Sequence, residues 1–373
     1  MFPKLRFKEF DGDLTESKLV ELTSWASGGT PAKDVPEYWG DGIPLISGAS
    51  MHTNQLYESD VKITKLGLQK GSKLALKDSI LILVRGSMLF NKIPMGITLG
   101  DVAFNQDVKC IRPKQQLAPL FLFQWLHAKE NTIQNKVTAT GIGAGKLDTA
   151  DLQNLKLYKP SLEEQTKIAT FLSAVDEKIS QLTQKHQLLR EYKQGMMQKL
   201  FSQQVRFKAD DKSEFGEWEE KELKDIAEIN PKSKKLPESF IYIDLESVEK
   251  GQLLLQKNIE LQDAPSRAQR LLAKGDVLFQ MVRPYQQNNY YFNLSGEYVA
   301  STGYAQIRTK LDSKFIYYAL HEKTFLDEVM NRCTGTSYPA INSSDLSSIE
   351  ILIPCLEEQT KIANFLSSID QKI

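Results

Sequence analysis

The chain lacks any apolar run approaching the twenty or so residues a membrane-spanning helix needs. Its opening, MFPKLRFKEF, is mixed and charged and carries no apolar signal-peptide core. Both absences lead us to expect a cytoplasmic protein without membrane contact. Cysteine is scarce: Cys110, Cys333 and Cys355 lie far apart with no CxxC pair, which excludes a disulfide framework and a zinc knuckle. Net charge is absent, with 47 basic and 47 acidic residues, so any nucleic-acid binding must come from local patches. The four histidines, His52, His127, His186 and His321, include no pair at metal-ligand spacing. There is no GxSxG elbow, no HExxH pair, no glycine-rich cofactor loop after a strand and no Asn-Pro-Pro-aromatic tetrapeptide. TGIGAGKLD at 140–148 lacks the first glycine of a phosphate loop and has Leu147 where a metal-binding hydroxyl is required. We therefore expect no catalytic residues, no metal and no cofactor bound by this chain.

What the sequence does have is one sentence written twice. Residues 160–179 read PSLEEQTKIATFLSAVDEKI and residues 354–373 read PCLEEQTKIANFLSSIDQKI, differing at five of twenty positions with an offset of 194. The same offset relates LHAK at 126–129 to LHEK at 320–323, and Thr140-Gly141 to Thr334-Gly335. Upstream the match loosens: LKDSILILVRG at 76–86 pairs with AKGDVLFQMVRP at 273–284, and Leu5-Arg6-Phe7-Lys8 with Val205-Arg206-Phe207-Lys208. A chain of 373 residues has room for two such halves, each with its own core.

The repeated segment begins as a helix. Ser161 followed by Glu164 has the spacing of a capping box. Apolar residues then fall at Ile168, Leu172, Val175, Ile179, Leu182, Leu189, Met196 and Leu200, with His186 and Lys193 completing a 4-3 heptad rhythm. Residues 161–200 predict a rod of about 60 Å with a helix-pairing seam, whose second copy is Ile362, Leu366, Ile369 and Ile373. Gly195 weakens the rod. The sequence stops at Ile373, the counterpart of Ile179, so the seam of the second copy is short and self-association through this helix becomes an expectation. The globular parts read as mixed, with strand-like runs such as SILILVRG (79–86) and GDVLFQMV (275–282) and one helix-like stretch per half, 119–137 and 313–332. The fold class predicted is α+β: two similar mixed domains, 1–159 and 203–353, with spacer helices at 160–202 and 354–373, arranged as an antiparallel coiled coil with pseudo-two-fold symmetry.

Recognition chemistry is concentrated after the strand-like runs. Arg283, Tyr285, Gln286, Gln287, Asn288, Asn289 and Tyr290 follow one of them. Arginine suits guanine and the amides suit adenine at the major-groove edge, with aromatics to stack beside them. Arg85, Ser87, Asn91 and Lys92 occupy the matching place in the first half, with fewer amides, so the two halves should read different sequences. Thr140, Gly141 and Lys146, and Thr334, Gly335 and Thr336, are candidates for phosphate contacts. Residues 180–208 carry six Lys or Arg against Glu191 alone, a local charge of 6 − 1 = +5. A solvated helix face explains that run equally well.

This arrangement, a variable region, the PxLEEQxKIAxFLSxxDxKI helix, a second variable region and the helix again, resembles the specificity subunits of type I restriction–modification systems. The resemblance extends to SGGTPAKDVPEYWGDGIPLIS at 27–47, to the two strand-like runs and to the Thr-Gly turns. It implies two target recognition domains, each reading one half of a split site in double-stranded DNA. It also implies helices that set the spacing and dock modification (methyltransferase) subunits, two in number, and the company of restriction subunits. S-adenosylmethionine and ATP with Mg would be used by those partners, and the chain itself would be non-catalytic. A DNA-acting enzyme in a single chain and a coiled-coil scaffold are the alternatives. Methylation by the purified chain alone would mark the first; absence of salt-sensitive, sequence-selective DNA binding would mark the second.

Overall fold

The computed structural model describes residues 5–141, 143–232 and 235–373. The chain divides into two compact units, 1–180 and 181–373, with the boundary inside one continuous helix, Leu162–Phe201. The helix is the rod expected from the heptad rhythm. Among the described residues no helix is long and apolar enough to cross a membrane.

The first unit holds two main sheets. One has the strand order 23–27, 108–113, 80–83, 95–98 and 55–56; the other has 62–63, 39–46, 102–104 and 73–75. The second unit repeats this frame as 227–229, 304–309, 277–280 and 290–291 beside 257–260, 239–243, 298–301 and 268–271. The one parallel pairing of the second sheet recurs too: Ala103 opposite Leu45 in one unit, Tyr242 opposite Val299 in the other. Ile80, Leu81, Ile82 and Leu83 are buried on both strand faces, as are Val277, Leu278, Phe279 and Gln280. That is why these strands read as unbroken runs and not as alternation.

The helix-like stretches at 119–137 and 313–332 each split in two. Helices Pro119–Ala128 and Glu130–Gln134 meet at Lys129, and Ser313–Ala319 and Lys323–Asn331 are parted at Glu322. Glu322 turns back to accept from the main-chain N–H of Thr324 and Phe325, starting a new helix where periodicity alone predicted continuation.

The repeated sentence anchors each helix to its own unit. Half of the predicted capping box forms: the Glu164 N–H donates to Ser161 Oγ at 3.2 Å. The Glu164 carboxylate, however, is buried and takes Arg6 bidentately, Nε and Nη2 each at 2.7 Å. Its counterpart Glu358 is equally buried and takes Arg206 Nε at 3.1 Å, Arg206 Nη2 at 2.7 Å and Trp218 Nε1 at 3.1 Å. The next residue, Gln165, accepts from the Ala118 N–H and donates to the Pro160 carbonyl. Gln359 does the same with Asp312 and Pro354. One residue beyond each arginine, Phe7 meets Phe171 edge-on at 5.8 Å and Phe207 meets Phe365 at 5.7 Å. The two loosely matched tetrapeptides at 5–8 and 205–208 are thus straps over the two helix starts.

The seam residues separate by copy. Ile362, Leu366 and Ile369 are buried, and the core they join is that of their own unit, with Phe315, Leu320 and the end of the long helix, Met196 to Phe201. Lys193 Nζ reaches Asp370 at 2.6 Å, and Tyr192 lies edge-on to Phe365. Ile168 packs on the first unit's core and Leu189 is half-buried. Leu172, Val175, Ile179 and Leu182 are exposed. Ile373, just past the last helical turn, is half-buried.

Candidate nucleic-acid interface

In each unit a buried central strand runs out into a loop, and the Thr-Gly segment folds back alongside that loop. In the first unit strand Arg85–Gly86 pairs with Gly145–Lys146, which pairs in turn with Thr138–Ala139. Arg85 sits opposite Lys146, and both are exposed. Thr140 closes the turn: its N–H and Oγ1 both donate to the Ala144 carbonyl, at 2.8 and 2.9 Å. Gly141 lies at the exposed tip, next to Ile142, which is outside the described residues. Ser87, Asn91 and Lys92 follow on the exposed side of a short 3-10 turn, Ser87–Phe90. The structure therefore brings together two groups of candidates, 85–92 and 140–146, that are far apart in sequence.

The second unit builds the same ledge. Val282 bridges Ala340, Thr334 exchanges main-chain hydrogen bonds with Ala340, and the Arg283 N–H donates to the Pro339 carbonyl at 2.7 Å. Thr334, Gly335 and Thr336 are exposed beside the 283–287 loop. Gly335 has φ +87, which a residue with a side chain rarely adopts.

The two ledges can be superposed by their hydrogen bonds, and the result differs from the match of sequences. Letters pair Arg85 with Arg283. The bonds Leu147 N–H to Val84 O and Ile341 N–H to Met281 O shift the register by one. Gly86, at φ +149, is the structural counterpart of Arg283, and Leu83 that of Gln280. Arg283 thus adopts a positive φ of 55° where the other unit has glycine.

Most of the amides expected to face outward brace the loop. Gln280 is buried; its Nε2 donates to the Val282 carbonyl and to Gln286 Oε1, and its Oε1 accepts from the Asn288 N–H. Asn289 is also buried, and its Oδ1 accepts from the Gln280 N–H. Asn288 Oδ1 accepts from the Lys250 N–H. Tyr290 is buried in the core. Gln287 closes the turn at φ +51. Left at the surface are Tyr285, 50% exposed, and Gln286, whose Oε1 is held by Gln280; Arg283 is half-buried, its guanidinium 5.6 Å from the ring centre of Tyr338.

Three residues of this ledge were not found from sequence. Gln280 was signalled by an amide in a run that is otherwise apolar, where the first half has leucine. Tyr338 had no such signal; only the fold places it against Arg283. His321 stood out in the sequence only as one of four histidines without a metal-ligand spacing, yet its Nδ1 lies 2.7 Å from the Tyr317 carbonyl and its Nε2 3.4 Å from Asn289 Nδ2. The carbonyl can only accept, so Nδ1 carries the proton and Nε2 accepts from Asn289. Burial pushes the His321 pKa below the ordinary imidazole value, and nearby Lys193 adds to the effect. Among the described residues no group of three or more His, Cys, Asp or Glu could hold a metal ion.

Comparison with known proteins gives concordant results. The family model described as type I restriction modification DNA specificity domain matches twice, over residues 12–190 and 216–373. The chain is 27% identical to the type I restriction enzyme MjaVIII specificity subunit of Methanocaldococcus jannaschii, over 98% of this chain and 89% of that protein. It is 29% identical to the EcoR124I/EcoR124II specificity subunit of Escherichia coli, over 48% of this chain and 45% of that protein. The fold resembles the crystal structure of the type I system S subunit from M. genitalium, with a TM-score of 0.64 at 17% identity, covering 100% of this chain and 93% of that one.

Proposed function

The chain belongs to the type I restriction modification DNA specificity family, with two copies of its domain, and from that premise we propose that each unit reads one half of a split DNA target through its two-loop ledge. The observation that carries this reading is the ledge itself: one hydrogen-bonded frame, built twice, with different side chains on it. A common frame docks in a common way, while different side chains select different bases. In the first ledge Arg85, Lys146 and Lys92 offer cations to phosphate and Ser87 and Asn91 offer polar groups to bases. In the second, Arg283 and Tyr285 face outward, and the Thr334 and Thr336 hydroxyls suit phosphate.

The long helix and its repeat set the spacing and dock two modification subunits, and restriction subunits complete the assembly. Those partners supply S-adenosylmethionine chemistry and ATP-driven work in the cytoplasm, and this chain supplies recognition. The test is direct. The purified chain with S-adenosylmethionine alone should leave DNA unmethylated. With modification subunits added, it should methylate one bipartite sequence, with binding that weakens as salt rises. Methylation by the chain alone would point to a DNA-acting enzyme, and unselective, salt-insensitive association to a scaffold.

A further inference from the structure

We propose that Arg283 is the base-reading residue of the second unit, recognising one guanine through a guanidinium held on the face of Tyr338. The inference rests on the reading of the ledge given above and assigns its chemistry.

Four observations converge on this residue. The backbone of Arg283 is left-handed, φ 55° and ψ 53°, at the position where the first unit has Gly86. Residues with a β-carbon seldom stay there unless their surroundings hold them. Here they do: the Arg283 N–H is tied to Pro339, its carbonyl accepts from the Gln286 N–H at 3.0 Å, and Gln280 clamps Val282 and Gln286 from beneath. Second, among the described residues no carboxylate pairs with Arg283, a condition it shares with Arg267 and Arg270, whereas Arg206, Arg308 and Arg332 of the same unit are paired with Glu358, Asp276 and Glu328. Its Nε is buried and, like that of Arg270, finds no hydrogen-bond partner among the described residues. Third, the guanidinium rests over Tyr338, a ring 68% exposed. A cation over an aromatic face is attracted to it, which limits where the guanidinium sits before any ligand arrives. Fourth, the oxygens of Gln280, Gln286, Asn288 and Asn289 already accept hydrogen bonds within the unit. An adenine-reading amide needs both its oxygen and its nitrogen. The ledge therefore presents the Arg283 guanidinium, positioned over Tyr338, as its uncommitted donor group, and guanine is the base whose major-groove edge offers two acceptors, O6 and N7.

The experiment uses the complex of the full chain with its modification subunits. Methylated sites and binding to randomised duplexes are compared for the native chain, Arg283→Lys and Arg283→Gln. Arg283→Lys keeps the charge and loses the fork. We expect both variants to lose selectivity at one guanine of one half-site, with the other half-site and the spacing unchanged. In parallel, the native complex is given duplexes with 7-deazaguanine at each guanine in turn, a test that needs no variant to fold. Removal of N7 at a single position should weaken binding about ten- to a hundred-fold. If Arg283→Gln weakens all sequences alike, lowers the salt slope by about one and Arg283→Lys restores it, Arg283 contacts phosphate. The guanine assignment is then overturned while the ledge still touches DNA. If both variants and every 7-deazaguanine duplex behave as the native complex does, the assignment and the ledge of the second unit both fail.

Discussion

Two kinds of buried polar side chain hold this molecule, and each makes a prediction at the scale of the residue. Arg206 and Glu358 are the first kind. Glu358 is fully buried, so removing its partner leaves a carboxylate that, among the described residues, keeps Trp218 Nε1 as its side-chain donor. Arg206→Ala should cost about 3 kcal/mol of stability, as breaking buried ion pairs does. The double variant Arg206→Ala/Glu358→Gln should recover part of that loss because no buried charge remains. Urea melts of the three proteins check this. His321 is the second kind. Its folded pKa lies below that of the unfolded chain, so the unfolded state binds the extra proton first. The stability it contributes is therefore complete above the ordinary imidazole value near 6.5. It is lost as pH falls through that value toward the lower folded one. Protonation would also turn Nε2 from acceptor to donor against Asn289 Nδ2, loosening the bond that feeds into Gln280 and the 283–287 loop. Thermal melts between pH 7.5 and 5.5 should show this loss, and His321→Gln should flatten it.

At the scale of the element, the long helix has one weak position. Gly195 lies inside Leu162–Phe201 with a helical backbone, and a β-carbon built there meets nothing within 4 Å. Gly195→Ala should therefore stabilise the protein by roughly 0.5–1 kcal/mol, read as a rise in melting temperature with DNA selectivity unchanged. Elements such as this one were legible because their signals are local. The heptad rhythm located the helix, and the runs SILILVRG and GDVLFQMV located the two central strands. The Thr-Gly turns and the post-strand segments were legible as candidates, but their union into one ledge was not, because it depends on strand pairing between distant residues. Glu164 shows the same limit at closer range. Its spacing from Ser161 fits a cap, and half of that cap forms. The carboxylate instead goes to Arg6, which lies 158 residues away and outside any local window. The one-residue shift that sets Gly86, and not Arg85, against Arg283 escaped for a related reason. Matching letters rewarded Val-Arg over Val-Arg, whereas hydrogen bonds from Leu147 and Ile341 fix the true register.

At the scale of the whole molecule, each helix start is locked to its own unit by the same set of contacts: a bidentate Arg–Glu pair, a glutamine tied to two main-chain groups and an edge-on phenylalanine pair. In the first unit these contacts fix the opening turns of the 40-residue long helix. A flexible linker would let recognition domains sample many separations and would blur the gap between half-sites. A continuous helix of 40 residues is about 60 Å long, against a DNA turn of about 34–36 Å. An insertion between Ile179 and Leu182, both exposed, lies beyond the bond from Gln124 to Asp176 and leaves the anchor at the helix start in place. One inserted heptad adds about 10.5 Å of rise and turns the far end by only about 20°. We expect that insertion to change the number of base pairs between the half-sites while both half-site sequences stay as they were. Long-read mapping of methylated sites in cells carrying the lengthened chain with its modification subunits gives the answer. An altered half-site sequence would show that the helix shapes the ledges themselves, and an unaltered gap would show that something other than this helix holds the spacing.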